Sequence, residues 1–373
     1  MIYVLVLLFL IFLSFKYDLG RNDYDSPNTK WLPVIVILFV AIAGFRDGLG
    51  VDTKQYLSFF TSVPTFDQLT KQFFAETRFR PGFVIFYSLC KTIIDDFTFA
   101  QFAEAIIVDS IVVLFIKRYS NLPYLTTLLF FLVNYLEFNM EVQREAIAVS
   151  LVLIAWMKFD DKKYVQSIIF FIASTTFHVS AFSALLIPIL QHVKFNNKWI
   201  IAALLFTVII PVLFFSIPNL QFYVQILLNT DAEQVIDIYT SQSFNSALNI
   251  NAYIIHFLHY FVIIYALAYL KKNGTIRFEG IILIYITLMY MSNISYGFYR
   301  LANYYSVFYL ITIADFIYLF VRTNRNVRKM PKIAALLLLL YMTYYHEKKL
   351  TIYDDINAQY CYERYFPYKS IFD

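Results

Sequence analysis

Between two apolar runs the chain carries Asn139-Met140-Glu141-Val142-Gln143-Arg144-Glu145-Ala146, a charged interruption where the flanking residues favour hydrocarbon. An ionisable side chain near membrane depth is costly and marks a function by default. Arg144 has a fixed charge and a planar fork of donors that fits phosphate oxygens, so its residue type predicts an anionic partner. Other cations share that chemistry: Arg46, Lys54, Lys71, Arg78 and Arg80 lie in or beside one long polar stretch, and Arg300 follows Tyr299 ahead of another apolar run. Two further side chains suit proton transfer. His178, in Thr175-Thr176-Phe177-His178-Val179-Ser180, has an ordinary pKa near neutrality, and Asp52 lies in Gly50-Val51-Asp52-Thr53.

Each of these also has a plainer reading. Arg144 could pair with Glu141 one helical turn earlier. His178 could end a helix by bonding a backbone group, and Arg300 could anchor a helix by snorkelling to the interface. Asp52 could cap the helix suggested by Tyr56, Phe59, Phe60 and Val63. His256 and His259 are one turn apart in an apolar segment and read as packing, since no carboxylate cluster accompanies them as a metal would require. Cys90 and Cys361 are too few and too differently placed for a disulfide framework or a metal site.

The elements that must position these residues are set by composition. Of 373 residues 60% are hydrophobic, 20% aromatic and only 15% charged, and the mean hydropathy is +0.61. That excludes an ordinary soluble domain. A net charge of +4 without any basic run excludes a nucleic-acid partner. The run Met1 to Phe15 has neither a basic n-region nor a small-residue cleavage site, so it reads as a retained span. Apolar segments fall near 1–15, 31–45, 82–94, 97–116, 122–138, 145–158, 164–177, 178–190, 199–217, 251–270, 278–291, 301–321 and 333–345. None alternates with a period of two, so a β-barrel is excluded. The expected fold is all-α: a polytopic transmembrane helical bundle of about 11–13 membrane helices, short or re-entrant ones included. Residues 1–345 are expected to form a single transmembrane domain with external loops near 46–81 and 218–250, and 346–373 a short external C-terminal tail.

Orientation follows from Lys and Arg retained on the cytoplasmic side. Lys16, Arg21 and Lys30, then Lys117 and Arg118, Lys162 and Lys163, Lys271, Lys272 and Arg277, and the cluster from Arg322 to Lys332 fit one side. Two full crossings at 82–94 and 97–116 would break that parity. The first is therefore expected to be broken or re-entrant. The remaining cations and His178 then gather at the external face as a cationic cavity, suited to a lipid diphosphate whose head meets the arginines and whose tail meets apolar helices.

Three segments carry a resemblance: Arg46-Asp47-Gly48-Leu49-Gly50-Val51-Asp52-Thr53 through Tyr56, Gln143-Arg144-Glu145-Ala146-Ile147-Ala148, and Phe177-His178-Val179-Ser180-Ala181 leading to Pro188. In order and spacing they resemble the EpsG family, which is similar in role to Wzy-type polymerases. Arg300 and the closing Tyr365-Phe366-Pro367-Tyr368-Lys369 are compatible with the family's C-terminal part. The chain departs from the pattern in having Arg144-Glu145 for a frequent Arg-Gln, and Arg80-Pro81-Gly82 where an acidic residue often stands. The resemblance implies a GT-C-like glycosyltransferase of the bacterial inner (plasma) membrane. At the periplasmic or extracellular face it would polymerise polyprenyl-diphosphate-linked oligosaccharide repeat units into an O-antigen, capsule or exopolysaccharide. Arg144, His178, Arg300 and Asp52 are the catalytic candidates. Arg46, Arg80, Arg144 and Arg300 would bind the diphosphate, and Tyr56, Gln143 and Tyr304 the glycan. No metal or other cofactor is required. The partners are the lipid-linked donor and acceptor, the bilayer, and a chain-length regulator and flippase. A flippase or other transporter of lipid-linked glycans, or a membrane acyltransferase, is the alternative class.

Overall fold

The structure, a computed structural model, describes residues 2–20, 26–50, 52–194, 250–292, 296–323 and 368–372, with isolated positions 196, 198, 202, 205, 206, 209 and 365. The expected spans at 199–217 and 333–345, the external loop 218–250 and most of the tail lie outside the described residues, as do the side chains of His256, His259 and Tyr296. What is described is helical, as composition requires. The chain divides into two compact units, one formed by Met1–His178 with Ile317–Asp373 and the other by Val179–Phe316.

The first unit contains α1 (Ile2–Leu13), α2 (Leu32–Gly44), α3 (Thr53–Ser62), α4 (Lys71–Glu76), α5 (Pro81–Ile93), α6 (Phe97–Tyr119), α7 (Pro123–Phe130), α8 (Leu136–Met140), α9 (Gln143–Asp160) and α10 (Tyr164–Phe177). Helix starts follow local chemistry. Pro33, Pro81 and Pro123 occupy the first turns of α2, α5 and α7, where a missing N–H costs nothing. The Asp96 side chain caps α6 by accepting from the Thr98 N–H at 2.8 Å. Among the described helices, Ile2–Leu19 and Phe97–Tyr119 are long and apolar enough to cross a membrane, and several others are shorter apolar helices.

Helices α6 and α9 run in the same direction, because Arg118 near the end of α6 meets Asp161 at 2.6 Å and Asp160 at 3.3 Å at the end of α9. The hydrogen bond from Arg118 holds the exposed Asp161 carboxyl below its usual range. α1 ends at the same level: its continuation, the π-turn Ser14–Leu19, places Asp18 Oδ2 to accept the Leu125 N–H of α7 at 2.7 Å. The basic residues Lys16, Lys117, Arg118, Lys162 and Lys163 thus share one end of the unit.

At the opposite end lies α5, a short apolar helix of 13 residues. Its first turn lies against the close of α10, where a Cβ on Gly82 would sit 2.3 Å from Thr176 Oγ1. Its last turn is held by Lys91 Nζ donating to the Phe60 and Thr61 carbonyls at 3.1 and 2.9 Å, and it passes directly into the start of α6. Both ends of α5 therefore lie at the non-basic end, and the helix does not traverse the unit.

Three expected helices prove irregular. The segment 122–138 is interrupted by a π-turn at Phe131–Tyr135 between α7 and α8. The segment 178–190 opens as a 3₁₀ turn, Val179–Leu186, before the short α11 (Ile187–Leu190). The segment 301–321 is not one helix: in the second unit α12 (Ile250–Lys272) and α13 (Glu279–Met291) are followed by α14 (Tyr296–Asn303) and α15 (Ser306–Thr323), the last continuing into the first unit, and the α14–α15 pair is bent by 65° at the break. Around that break Ser306 Oγ bonds the Asn303 carbonyl and Tyr305 OH the Ser183 carbonyl, satisfying polar groups that an unbroken helix would have used otherwise.

Gly50 tests the packing of the non-basic end. It has φ +94° and a Cβ there would lie 2.0 Å from the Met140 carbonyl oxygen, so the chain must move. Gly50→Ala is expected to lower stability by about 1–3 kcal/mol, seen as a reduced unfolding midpoint in detergent. An unchanged midpoint would show that the approach to Met140 is not a constraint.

Candidate functional site

The site grows from the turn that leaves α2. After Phe45 the backbone needs positive φ at Gly48 (+62°) and Gly50 (+94°), which glycine adopts without a Cβ penalty. Thr53 then ties the start of α3 down through its Oγ1, which bonds the Leu49 carbonyl and reaches the Met140 carbonyl at 3.3 Å. The C-terminal tail closes over the same turn. Asp47 N–H donates to the Lys369 carbonyl and Ile371 N–H to the Phe45 carbonyl, both at 3.0 Å, while Tyr368 OH reaches the Ile42 carbonyl at 3.0 Å.

These contacts bury Arg46. It was expected in an external cationic cavity, yet it is 1% exposed, with Nη1 bonded to the Ala43 carbonyl. Burial draws its pKa down, and the Glu104 charge is the foremost influence in the other direction. Glu104 and Asp109, both buried on α6, together with buried Asn139, are residues that reading for external cations passes over. The available signal was two acids inside an otherwise apolar span, since an intramembrane ionisable residue marks a site by default. Asn139 Nδ2 donates to Asp109 Oδ1 at 3.0 Å.

Arg144 is placed quite differently. It stands in the first turn of α9, partly exposed, with its guanidinium 4.8 Å above the Phe79 ring. No ion pair joins it to Glu141 among the described residues. Phe79 is held by Phe59 at 4.0 Å and Phe83 at 5.6 Å between ring centroids, and Arg78 lies over its ring at 5.1 Å. Arg78 also donates to the Gln55 side-chain oxygen. Beside Arg144, Gln143 is buried and its Oε1 accepts from Tyr87 OH at 2.7 Å. Tyr56 is buried too, its ring packed against Phe83 at 5.6 Å, so it supports the aromatic cluster and presents no open face to a sugar.

Arg80 is exposed at the start of α5, where its carbonyl accepts from Phe83 and Val84. The close approach permitted by Gly82 brings that start against Thr176 and Phe177. His178 follows at once: it is buried and its backbone N–H closes α10 by donating to the Ser174 carbonyl at 3.1 Å. Asp52 occupies the cap position of α3, but its side chain makes no capping bond, and its carbonyl accepts from Tyr56 N–H at 3.0 Å. In the second unit Arg300 lies partly buried within α14, and Tyr304 is buried with its OH accepting from Ser180 Oγ at 3.1 Å. Among the described residues no three His, Cys, Asp or Glu side chains converge as metal ligands.

The chemistry available in the first unit is therefore a cation that has no carboxylate partner among the described residues, seated on an aromatic ring at a helix N-terminus. Such a terminus also favours negative charge through its unpaired N–H groups. A comparison with family models finds a match described as the EpsG family over residues 29–370. No curated protein and no solved structure matches the chain.

The Tyr87–Gln143 bond fixes the residue next to Arg144. Tyr87→Phe leaves Gln143 Oε1 buried without its donor and is expected to cost about 1–3 kcal/mol. Thermal unfolding of the purified protein measures it, and an unaltered midpoint would remove Tyr87 from the support of this helix end.

Proposed function

We propose, from the premise that this chain belongs to the EpsG family, that it polymerises lipid-linked oligosaccharide repeat units, taking the growing chain on polyprenyl diphosphate as donor. The observation that supports this most directly is Arg144: a fixed positive charge, unmatched by a carboxylate among the described residues, at the N-terminus of α9 and backed by Phe79. Stacking on the ring orients the guanidinium plane and leaves its edge donors for phosphate oxygens.

In the proposed reaction the bond between the donor sugar's anomeric carbon and its phosphate oxygen breaks, and the diphosphate leaves with the electron pair. A hydroxyl of the acceptor repeat unit forms the new bond to that carbon and gives up its proton. Negative charge develops on the leaving oxygen, and a preorganised cation stabilises that charge as it appears. Arg144 takes this role, with the exposed Arg80 as a second cation of the same unit. His178 is the proposed proton acceptor because its ordinary pKa lies near neutrality, and Asp52 is the second candidate. Arg300, in the other unit, enters as a separate candidate cation. The arrangement calls for no metal, since arginine supplies the charge neutralisation.

The decisive experiment follows lipid-linked glycans in cells carrying variants. Arg144→Ala is expected to cut polymer formation by on the order of 10²–10³-fold while single repeat units accumulate at the outer leaflet. Arg144→Lys should retain a fraction of activity, since the charge survives and the fork does not. Long polymer made by Arg144→Ala would sink the assignment, and repeat units trapped on the inner leaflet would point to a flippase. For His178, the pH–rate profile of His178→Gln should lose its limb near neutrality. An unchanged profile would exclude this residue as the base.

A further inference from the structure

Of the side-chain atoms in the first unit that are buried without a hydrogen-bond partner among the described residues, seven belong to five residues: Arg46 Nε and Nη2, both Glu104 oxygens, Asp109 Oδ2, Asn139 Oδ1 and Gln143 Nε2. Native interiors rarely strand polar groups, and so many together demand an explanation. The five residues are at least nine-tenths buried: Arg46 1% exposed, Glu104 1%, Asp109 0%, Asn139 0% and Gln143 1%.

They converge on one place. Asn139 is bonded to Asp109 at 3.0 Å, and Gln143 to Tyr87 at 2.7 Å. The Arg46 charge acts on Tyr87, Glu104 and Asp109. Yet Arg46 forms no direct ion pair among the described residues, so the guanidinium and the two carboxylates are coupled through space without touching.

The unpaired atoms select the guest that belongs between them. Three are N–H donors and four are acceptor oxygens. A phosphate would suit the three donors and leave the four acceptor oxygens without a donor. A metal cation would suit the oxygens and be repelled by the guanidinium. An O–H group both donates and accepts, and serves all of them.

We propose that Arg46, Tyr87, Glu104, Asp109, Asn139 and Gln143 line a hydrated chamber in which O–H groups bridge the Arg46 guanidinium to Glu104 and Asp109. Ordered water is one source of those groups, and the hydroxyls of a substrate sugar are the other. Arg46 is then a positioning residue whose charge is answered internally, and not a ligand of diphosphate. Gln143 is the first residue of α9, so the chamber also sets where Arg144 is presented.

Hydroxyl-radical footprinting of the full-length protein in detergent, read residue by residue by mass spectrometry, tests the chamber directly. Tyr87 is 1% exposed and Phe115 0%, on elements of the same unit. With each rate divided by the intrinsic reactivity of its residue type, bound water beside Tyr87 should make it oxidise several-fold faster than Phe115. Protection of Tyr87 on adding the lipid-linked repeat unit assigns the guest to sugar hydroxyls, and unchanged labelling assigns it to water. The charge coupling is read from Arg46→Gln, Glu104→Gln and the double variant: each single change strands a charge and should lower the yield of folded protein, and the double change should recover most of it. Tyr87 labelling no faster than Phe115, or a double variant whose loss equals the sum of the single losses, overturns the proposal. Neither readout uses polymerising activity, so failure here is distinct from failure of the function proposed above.

Discussion

A guanidinium enclosed among helices is the constraint on which the non-basic end of the first unit depends. Arg46 has its charge in a low-dielectric interior, where an unanswered cation is untenable. Glu104 of α6 acts on that charge through space, and with Asp109 it places acids in a span that otherwise reads as lipid-facing or core. Much of the local backbone follows from closing protein over that charge. Gly48 and Gly50 bend the turn, Thr53 anchors it to Met140, and residues 368–371 pair along it. Met140 lies shortly before α9, so the same closure fixes the approach to Arg144.

The two arginines of the first unit thereby divide the work of positive charge. Arg46 is spent on the interior. Arg144 has an aromatic ring beneath it and, among the described residues, no carboxylate beside it. An aromatic face orients a guanidinium without neutralising it, which is what a site for an external anion needs. The rings that carry Phe79, namely Phe59, Phe83 and through them Tyr87, also reach Gln143, so the platform and the helix end are built from one cluster.

The second unit uses its charges locally. Arg277 meets Asp315 at 2.6 Å, and Asp315 is 1% exposed. A residue whose apparent task was to mark the cytoplasmic side is thus also the counterion of an acid in α15. The 65° break between α14 and α15 has a comparable cause. Hydroxyls of Tyr304, Tyr305 and Ser306 find partners at the bend, so the polar backbone exposed there is not left in an apolar setting.

The sequence by itself determined the class of fold, the order of most helices and the exceptional status of Arg144, because apolar run length, Lys and Arg placement and the cost of a charge near hydrocarbon are local properties. The division between Arg46 and Arg144 was not so determined. Both are arginines in short motifs, and only tertiary packing, under the tail for one and on Phe79 for the other, decides which is buried and which stays partly exposed. The same holds for Tyr56 and Tyr304, whose ring faces are taken up by packing that their types do not reveal. Glu104 and Asp109 were visible as letters, but their meaning depended on a partner 58 or more residues away in the chain. Long-range pairing of charge is what the amino-acid order leaves open and the packed helices close.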